Sequence, residues 1–218
     1  MKFIKYLSLF VCFILVGIST IFFVYPNSFF INSLAKLTDI SYGYSEGTLH
    51  KGSLNDFEFK NIGFDRVEYK NTISFKSLTS VISTFGPHKA TIKLNHLLNT
   101  NLIDISINTL SSKIKLNELL NLISLNIEKG SISYDFNDSR CESANGNGYL
   151  SNDLLGRINL TIECRNGRLI AILKKNRINV GQVRLYDNYM ETEISKSVLP
   201  SRMRKFIKDE FLFIRSNY

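Results

Sequence analysis

The side chains best suited to metal binding or nucleophilic chemistry are Cys141, Cys164 and three histidines, His50, His88 and His96. A zinc site needs clustered ligands, and no C-x-x-C pair starts one here, so no structural zinc is expected. The stretch DFNDSR, Asp135 to Arg140, opens like a calcium loop. It then places Arg140 where the sharp turn needs glycine and Gly146 where the bidentate glutamate belongs. No G-x-S-x-G, phosphate-cradling glycine loop or H-E-x-x-H occurs. The histidines fall in separate strands or turns and read as exposed or core-edge residues. The inventory predicts no enzyme, no metal and no cofactor.

The meaning of the cysteines depends on compartment. Cys141 opens CESANGNG, which is rich in loop-forming residues, and Cys164 precedes an Asn-Gly turn in CRNGRL. On the exported side of a membrane an even pair reads as a disulfide, with free buried thiols as the other reading. Closing a loop of about 24 residues contributes roughly 3 kcal/mol in the chain-entropy model. The segment between them would return as a hairpin through NDLLGR.

The N-terminus bears on that question. After Met1 to Lys5 comes Tyr6 to Tyr25, a run without a charge. As a helix it would span about 30 Å, the thickness of a hydrocarbon core. Lys2 and Lys5 precede it and Lys36 follows, so the positive-inside bias keeps the N-terminus cytoplasmic and exports the rest. A retained single-pass anchor is expected, with Cys12 reduced inside it. Cleavage near Gly17-Ile18-Ser19 is the rival reading, and it would leave an apolar stub, TIFFVYP. A lipoprotein signal at Cys12 fails because Val11 stands where a small residue is wanted.

The elements that would position these residues are mostly strands. Phe29 to Leu37 reads as a short amphipathic helix. Period-two alternation then dominates, as in Ile92-Leu94, Ile103-Ile105-Ile107, Ile158-Leu160-Ile162 and Val183-Leu185. Turn signals separate the strands at Glu46-Gly47, Gly86-Pro87, Lys129-Gly130, Asn166-Gly167 and Asp187-Asn188. Lys115 to Leu125 has apolar residues at helical spacing, and Ser77 to Phe85 is a weaker helix candidate. The fold class expected is mainly β: an N-terminal transmembrane helix, then one curved, largely antiparallel sheet with one or two short helices. The division is residues 1–5 cytoplasmic, 6–25 anchor, 26–200 periplasmic β-rich domain and 201–218 basic amphipathic tail.

A net charge of +8 raises the question of an acidic partner. Basic residues are spread through Arg165, Arg168, Lys174, Lys175, Arg177 and Arg184, then Arg202, Arg204, Lys205 and Lys208. No nucleic-acid recognition motif accompanies them, so lipid headgroups or an acidic protein are the expected attraction. The tail, read as a helix, gathers Met203, Phe206, Ile207 and Ile214 on one face. It would dock on its own domain, lie on a membrane or bind a partner helix. Open sheet edges offer main-chain pairing, with Val183 assigned to a strand that would matter if it lay on an edge.

The chain resembles the type II secretion system protein N family. The matching features are the single N-terminal anchor, GTLHKGS from Gly47 to Ser53, and the two cysteine-glycine stretches. The motif residues are Gly47, Thr48, Leu49 and Gly52, with His50 where that family usually has tryptophan. The resemblance covers residues 1 to 186. It implies a non-enzymatic accessory component of the bacterial type II secretion system, an inner-membrane-anchored periplasmic assembly module. Its partners would be other secretion-system inner-membrane or periplasmic proteins. The alternative is an AsmA-like anchored β-groove that binds or transfers lipid, since a sheet with one apolar face suits acyl chains.

Overall fold

The computed structural model describes residues 2–36, 40–59, 62–97, 100–115, 122–153, 155–186, 189–205 and 207–217. It begins with two helices, α1 (Lys2–Phe23) and α2 (Asn27–Ala35), on either side of Pro26. Proline cannot donate the amide that a continuous helix would need there. Among the described residues no helix is long and apolar enough to cross a membrane.

The rest is mainly β. The strands are β1 (Ile40–Ser41), β2 (Tyr44–Gly47), β3 (Lys51–Phe59), β4 (Ile62–Ile73), β5 (Ser77–Phe85), β6 (His88–Leu97) and β7 (Leu102–Lys115). They continue as β8 (Leu122–Asp135), β9 (Arg140–Asn152), β10 (Gly156–Arg165), β11 (Arg168–Lys175), β12 (Ile178–Leu185), β13 (Tyr189–Ser195) and β14 (Phe211–Asn217). All belong to one 14-stranded antiparallel sheet in which β3 to β14 pair in sequence order, while β1 and β2 both pair with β3. Short turns between alternating strands produce this meander, because sequential strands are the cheapest to pair. The break in alternation between Leu54 and Phe57 coincides with Asp56, whose φ is 51°.

Several expectations change. Ser77 to Phe85 is strand β5, as its β-branched residues favour. The helix expected over Lys115 to Leu125 meets strand at both described ends. Lys115 ends β7 and Leu122 begins β8, and 116–121 lie outside the described residues. The leucine spacing there is helical, but β8 can pair along both edges, with β7 and β9. CESANGNG, read as loop-forming, lies wholly inside β9. Lys129-Gly130 is no turn either and sits within β8 beside a register shift. The turn expected at Asp187-Asn188 lies outside the described residues.

The tail is also different. Only Ser201–Arg204 is helical (α3), and Phe211–Asn217 adds β14 to the sheet, as a Phe-Leu-Phe-Ile run prefers. Leu199 just before α3 is completely buried in the core, packed with Leu155, Ile158, Leu173 and Ile194. Arg204 holds that segment down, its Nε donating to the Leu199 carbonyl at 2.7 Å and an Nη to that of Ser197 at 2.9 Å. Val183 lies in β12, between β11 and β13, so it is on no edge.

Candidate functional site

Residues directly opposite one another in paired strands share a face, so the pairing register separates the sheet's two sides. One cross-strand row runs Lys51, Lys70, Val81, Lys93, Ser106 and Ser131, and ends through Arg184 and Glu191 at Arg215. A row on the opposite face runs Leu54, Val67, Thr84, Ala90, Leu110 and Ile127. It continues through Gly148, Leu160, Leu173, Gly181 and Ile194 to Leu212. No residue in the second row carries a charge. At about 4.8 Å between strands it extends roughly 50 Å from β3 to β14.

On this apolar face, β7 to β13 enclose a cavity of about 310 Å³. Ile107, Ile127, Leu150, Ile162, Leu173 and Val183 line it, and Leu155 and Ile158 lie at the end closed by the core. Ser151, Asn152 and Thr192 are its few polar neighbours. Beside the lining residues Ile107 and Ile127, Gly130 of β8 and Gly146 of β9 are paired directly opposite each other. A Cβ at Gly146 would already meet the Gly130 Cα at 3.1 Å. The glycines that made CESANGNG look like a loop are therefore strand residues at close approaches of β8 and β9. Sequence patterning gives no sign of this, because a glycine between close strands and a glycine in a loop look the same.

Cys141 and Cys164 are bonded to each other, with Cα atoms 5.8 Å apart. Cys164 is opposite Leu169, a cavity-lining residue, so the bridge staples β9 to β10 at one end of the same face. The Cys141 amide also donates to the Gly167 carbonyl at 2.8 Å, tying the start of β9 to the β10–β11 turn. Cys12 in α1 is free.

The Gly47–Gly52 motif lies elsewhere, where the N-terminal helices meet the sheet. Gly47 takes a φ of 95°, which only glycine adopts without strain, and the Thr48 amide closes the turn onto the Lys51 carbonyl at 2.9 Å. Thr48 also bridges to Pro26. Asn27, 1% exposed, donates to the Glu46 carbonyl and to the Tyr69 hydroxyl, both at 2.8 Å. Tyr69 in turn donates to the Thr48 carbonyl at 2.7 Å. Asn71 donates its side-chain amide to the Leu49 carbonyl at 2.7 Å. The arrangement leaves no room at Gly52, where a Cβ would sit 2.5 Å from the Glu46 carbonyl oxygen and 2.7 Å from Asn27 Nδ2. Burial raises the Tyr69 pKa, partly offset by the hydrogen bond from Asn27.

His50 completes this junction. Its amide donates to the Phe22 carbonyl at 3.0 Å and its carbonyl accepts from the Asn71 amide at 2.7 Å. The ring packs on Phe22 and Phe23, with centroids 5.7 and 4.8 Å away, and Nδ1 lies 2.8 Å from the Asn71 carbonyl oxygen. Position 50 thus does more than present a packing ring: it ties the end of α1 to β4. Asn27, Tyr69 and Asn71 give no signal in the sequence, because their roles arise from pairing across the chain.

His88 and His96 are both on the apolar face. His88 is within 2.6 Å of the Ser112 hydroxyl, and His96 Nδ1 is 3.3 Å from the Leu102 carbonyl oxygen. Among the described residues no three His, Cys, Asp or Glu come together as metal ligands. Many of the basic residues noted in the C-terminal half are engaged within the fold. Arg184 pairs with Glu191 and Glu193, Arg165 with Glu163, Lys175 with the Leu155 carbonyl, and Arg168 stacks on Tyr186. No protein-family model, curated protein or solved structure matches the chain.

Proposed function

We propose that this chain is a membrane-anchored, non-catalytic binding module whose apolar face takes the acyl chain of a lipid. The observation that carries this reading is the cavity of about 310 Å³, lined by aliphatic side chains, partly open, and continuous with an uncharged row that crosses the sheet. Its volume falls at the lower end of the 300–1,000 Å³ typical of ligand pockets. Its lining offers a methylene chain dispersion contacts and release from water, and it offers a charged substrate no counter-ion. In this reading the uncharged N-terminal run, Tyr6 to Tyr25, holds the sheet at a membrane surface. The test is to extract the full chain in mild detergent and analyse it by mass spectrometry for bound lipid. Stoichiometric phospholipid or fatty acid is the expected result, and a protein empty after native extraction would overturn the reading.

A second reading, an accessory component of the type II secretion system, is favoured by the edge of β14. Among the described residues nothing pairs with its outer side, which leaves main-chain donors and acceptors for a partner strand. Crosslinking in native membranes distinguishes the two, because this reading requires secretion components among the products.

A further inference from the structure

We propose that the β4–β5 hairpin is a second membrane contact, with Phe75 entering the headgroup–acyl boundary of an anionic leaflet and lysines beside it meeting the headgroups. This rests on the reading of α1 as an anchor. Phe75 is 104% exposed, above every other large apolar side chain described, and its neighbour Ile73 is largely exposed as well. The tip is an ordered turn: the Ser74 amide donates to the Ser77 carbonyl at 2.8 Å, and the Ser77 amide to the Ser74 hydroxyl at 3.0 Å. A ring held in water by an ordered turn has no role in the fold, and burying it elsewhere is favourable.

Its place in the sheet identifies the surface it meets. The Phe22 carbonyl at the end of α1 accepts from His50, whose own carbonyl accepts from Asn71 of β4. Phe75 is four residues beyond Asn71, about 13 Å along the strand. The β4–β5 turn is therefore at the same end of the sheet as the junction with α1. Phe23, Tyr25 and Phe29 at that junction are also exposed, the kind of aromatic rim found at membrane interfaces.

The charges agree. Lys51 and Lys70 are directly opposite each other, an arrangement that is repulsive in water. Lys76 is at the tip itself. All three are exposed, and none makes an ion pair among the described residues. This sets them apart from Arg165, Arg168 and Arg184 of the C-terminal half, which are engaged within the fold. Lys76 next to the exposed ring, with Lys51 and Lys70 further back along the sheet, fits an anionic lipid surface, which would relieve their repulsion.

The test uses the full chain reconstituted in vesicles containing phosphatidylglycerol, with a lipid-attached quencher. A fluorophore is placed at Phe75→Cys or Phe85→Cys, each in a Cys12→Ser background, since Cys141 and Cys164 are bonded to each other. Phe85 is at the other end of β5 and serves as the distant control. Native Cys12, labelled in the unmodified chain, reports the anchor separately. Quenching several-fold stronger at position 75 than at 85 is expected, and it should weaken in about 1 M salt, where the Debye length falls to about 3 Å. Equal quenching at 75 and 85, with Cys12 deeply quenched, overturns the hairpin contact and leaves the anchor intact. An unquenched Cys12 overturns the anchor reading and the hairpin contact with it. Equal quenching in phosphatidylcholine vesicles overturns the role given to the lysines.

Discussion

Gly130→Leu tests the cavity as a binding site without attacking the fold. A Cβ built at Gly130 would meet the Ile107 Cβ, the Ile107 Cδ1 and the Ile127 Cγ2, each at 3.7 Å, which are ordinary contacts. Ile107 and Ile127 line the cavity, so a side chain at 130 reaches the residues that form its wall. Leucine adds four carbons there. At about 0.8 kcal/mol per buried methylene, displacing the matching part of an acyl chain costs about 3 kcal/mol of affinity. That is roughly 200-fold in the dissociation constant. Stability should hold, because a Cβ at this position meets its neighbours at ordinary distances. Gly148→Ala makes the contrast, since its Cβ would lie 2.2 Å from the Asn126 carbonyl oxygen and must move backbone. The assay is displacement of a fluorescent fatty acid, run beside thermal unfolding. Unchanged ligand affinity in a Gly130→Leu protein that melts like the wild type would refute the cavity as the lipid site.

Three further outcomes are expected. Gly52→Ala should open the junction between α1 and the sheet, seen as faster hydrogen exchange at the Thr48 and Asn71 amides, because its Cβ would sit 2.6 Å from the Tyr69 hydroxyl. Because burial raises the Tyr69 pKa, the Tyr69 contribution is intact below the unfolded value near 10 and is lost as pH rises through the higher folded value. An alkaline titration of melting temperature should show that loss in the wild type and not in Tyr69→Phe, which gives up about 1 kcal/mol per hydrogen bond at every pH. Cys141→Ser should lower stability by roughly 3 kcal/mol in urea unfolding, as expected for a bridge spanning 23 residues.

Much of the architecture was legible before any pairing was known. Alternation in Ile103-Ile105-Ile107 and Ile158-Leu160-Ile162 marks strands because a pleated chain puts every second side chain on one face. Pro26 marks the break between α1 and α2, and Asn166-Gly167 marks a turn, with both residues at positive φ. The Cys141–Cys164 pairing was expected only if the domain is exported, and the hairpin returning through Asn152 and Gly156 was expected from the turn residues between them. These are local properties, fixed by backbone sterics and by the period of apolar residues.

What failed was whatever depended on neighbours distant in sequence. The leucines near Lys115 are spaced for a helix, yet Leu122 onward pairs with β7 and β9. The tail looks helical by the spacing of its apolar residues, yet Phe211 to Asn217 completes the sheet against β13. Cys141 looks like a loop residue, yet it is buried in β9. In each case the main chain's need for hydrogen-bond partners across the sheet outweighed a local preference of tenths of a kcal/mol per residue. Thus the sequence by itself determined strands, turns and the disulfide. The tertiary structure alone decided that Gly130 and Gly146 are paired opposite each other, and that Asn27, His50, Tyr69 and Asn71 meet at one junction, since only register brings such residues together.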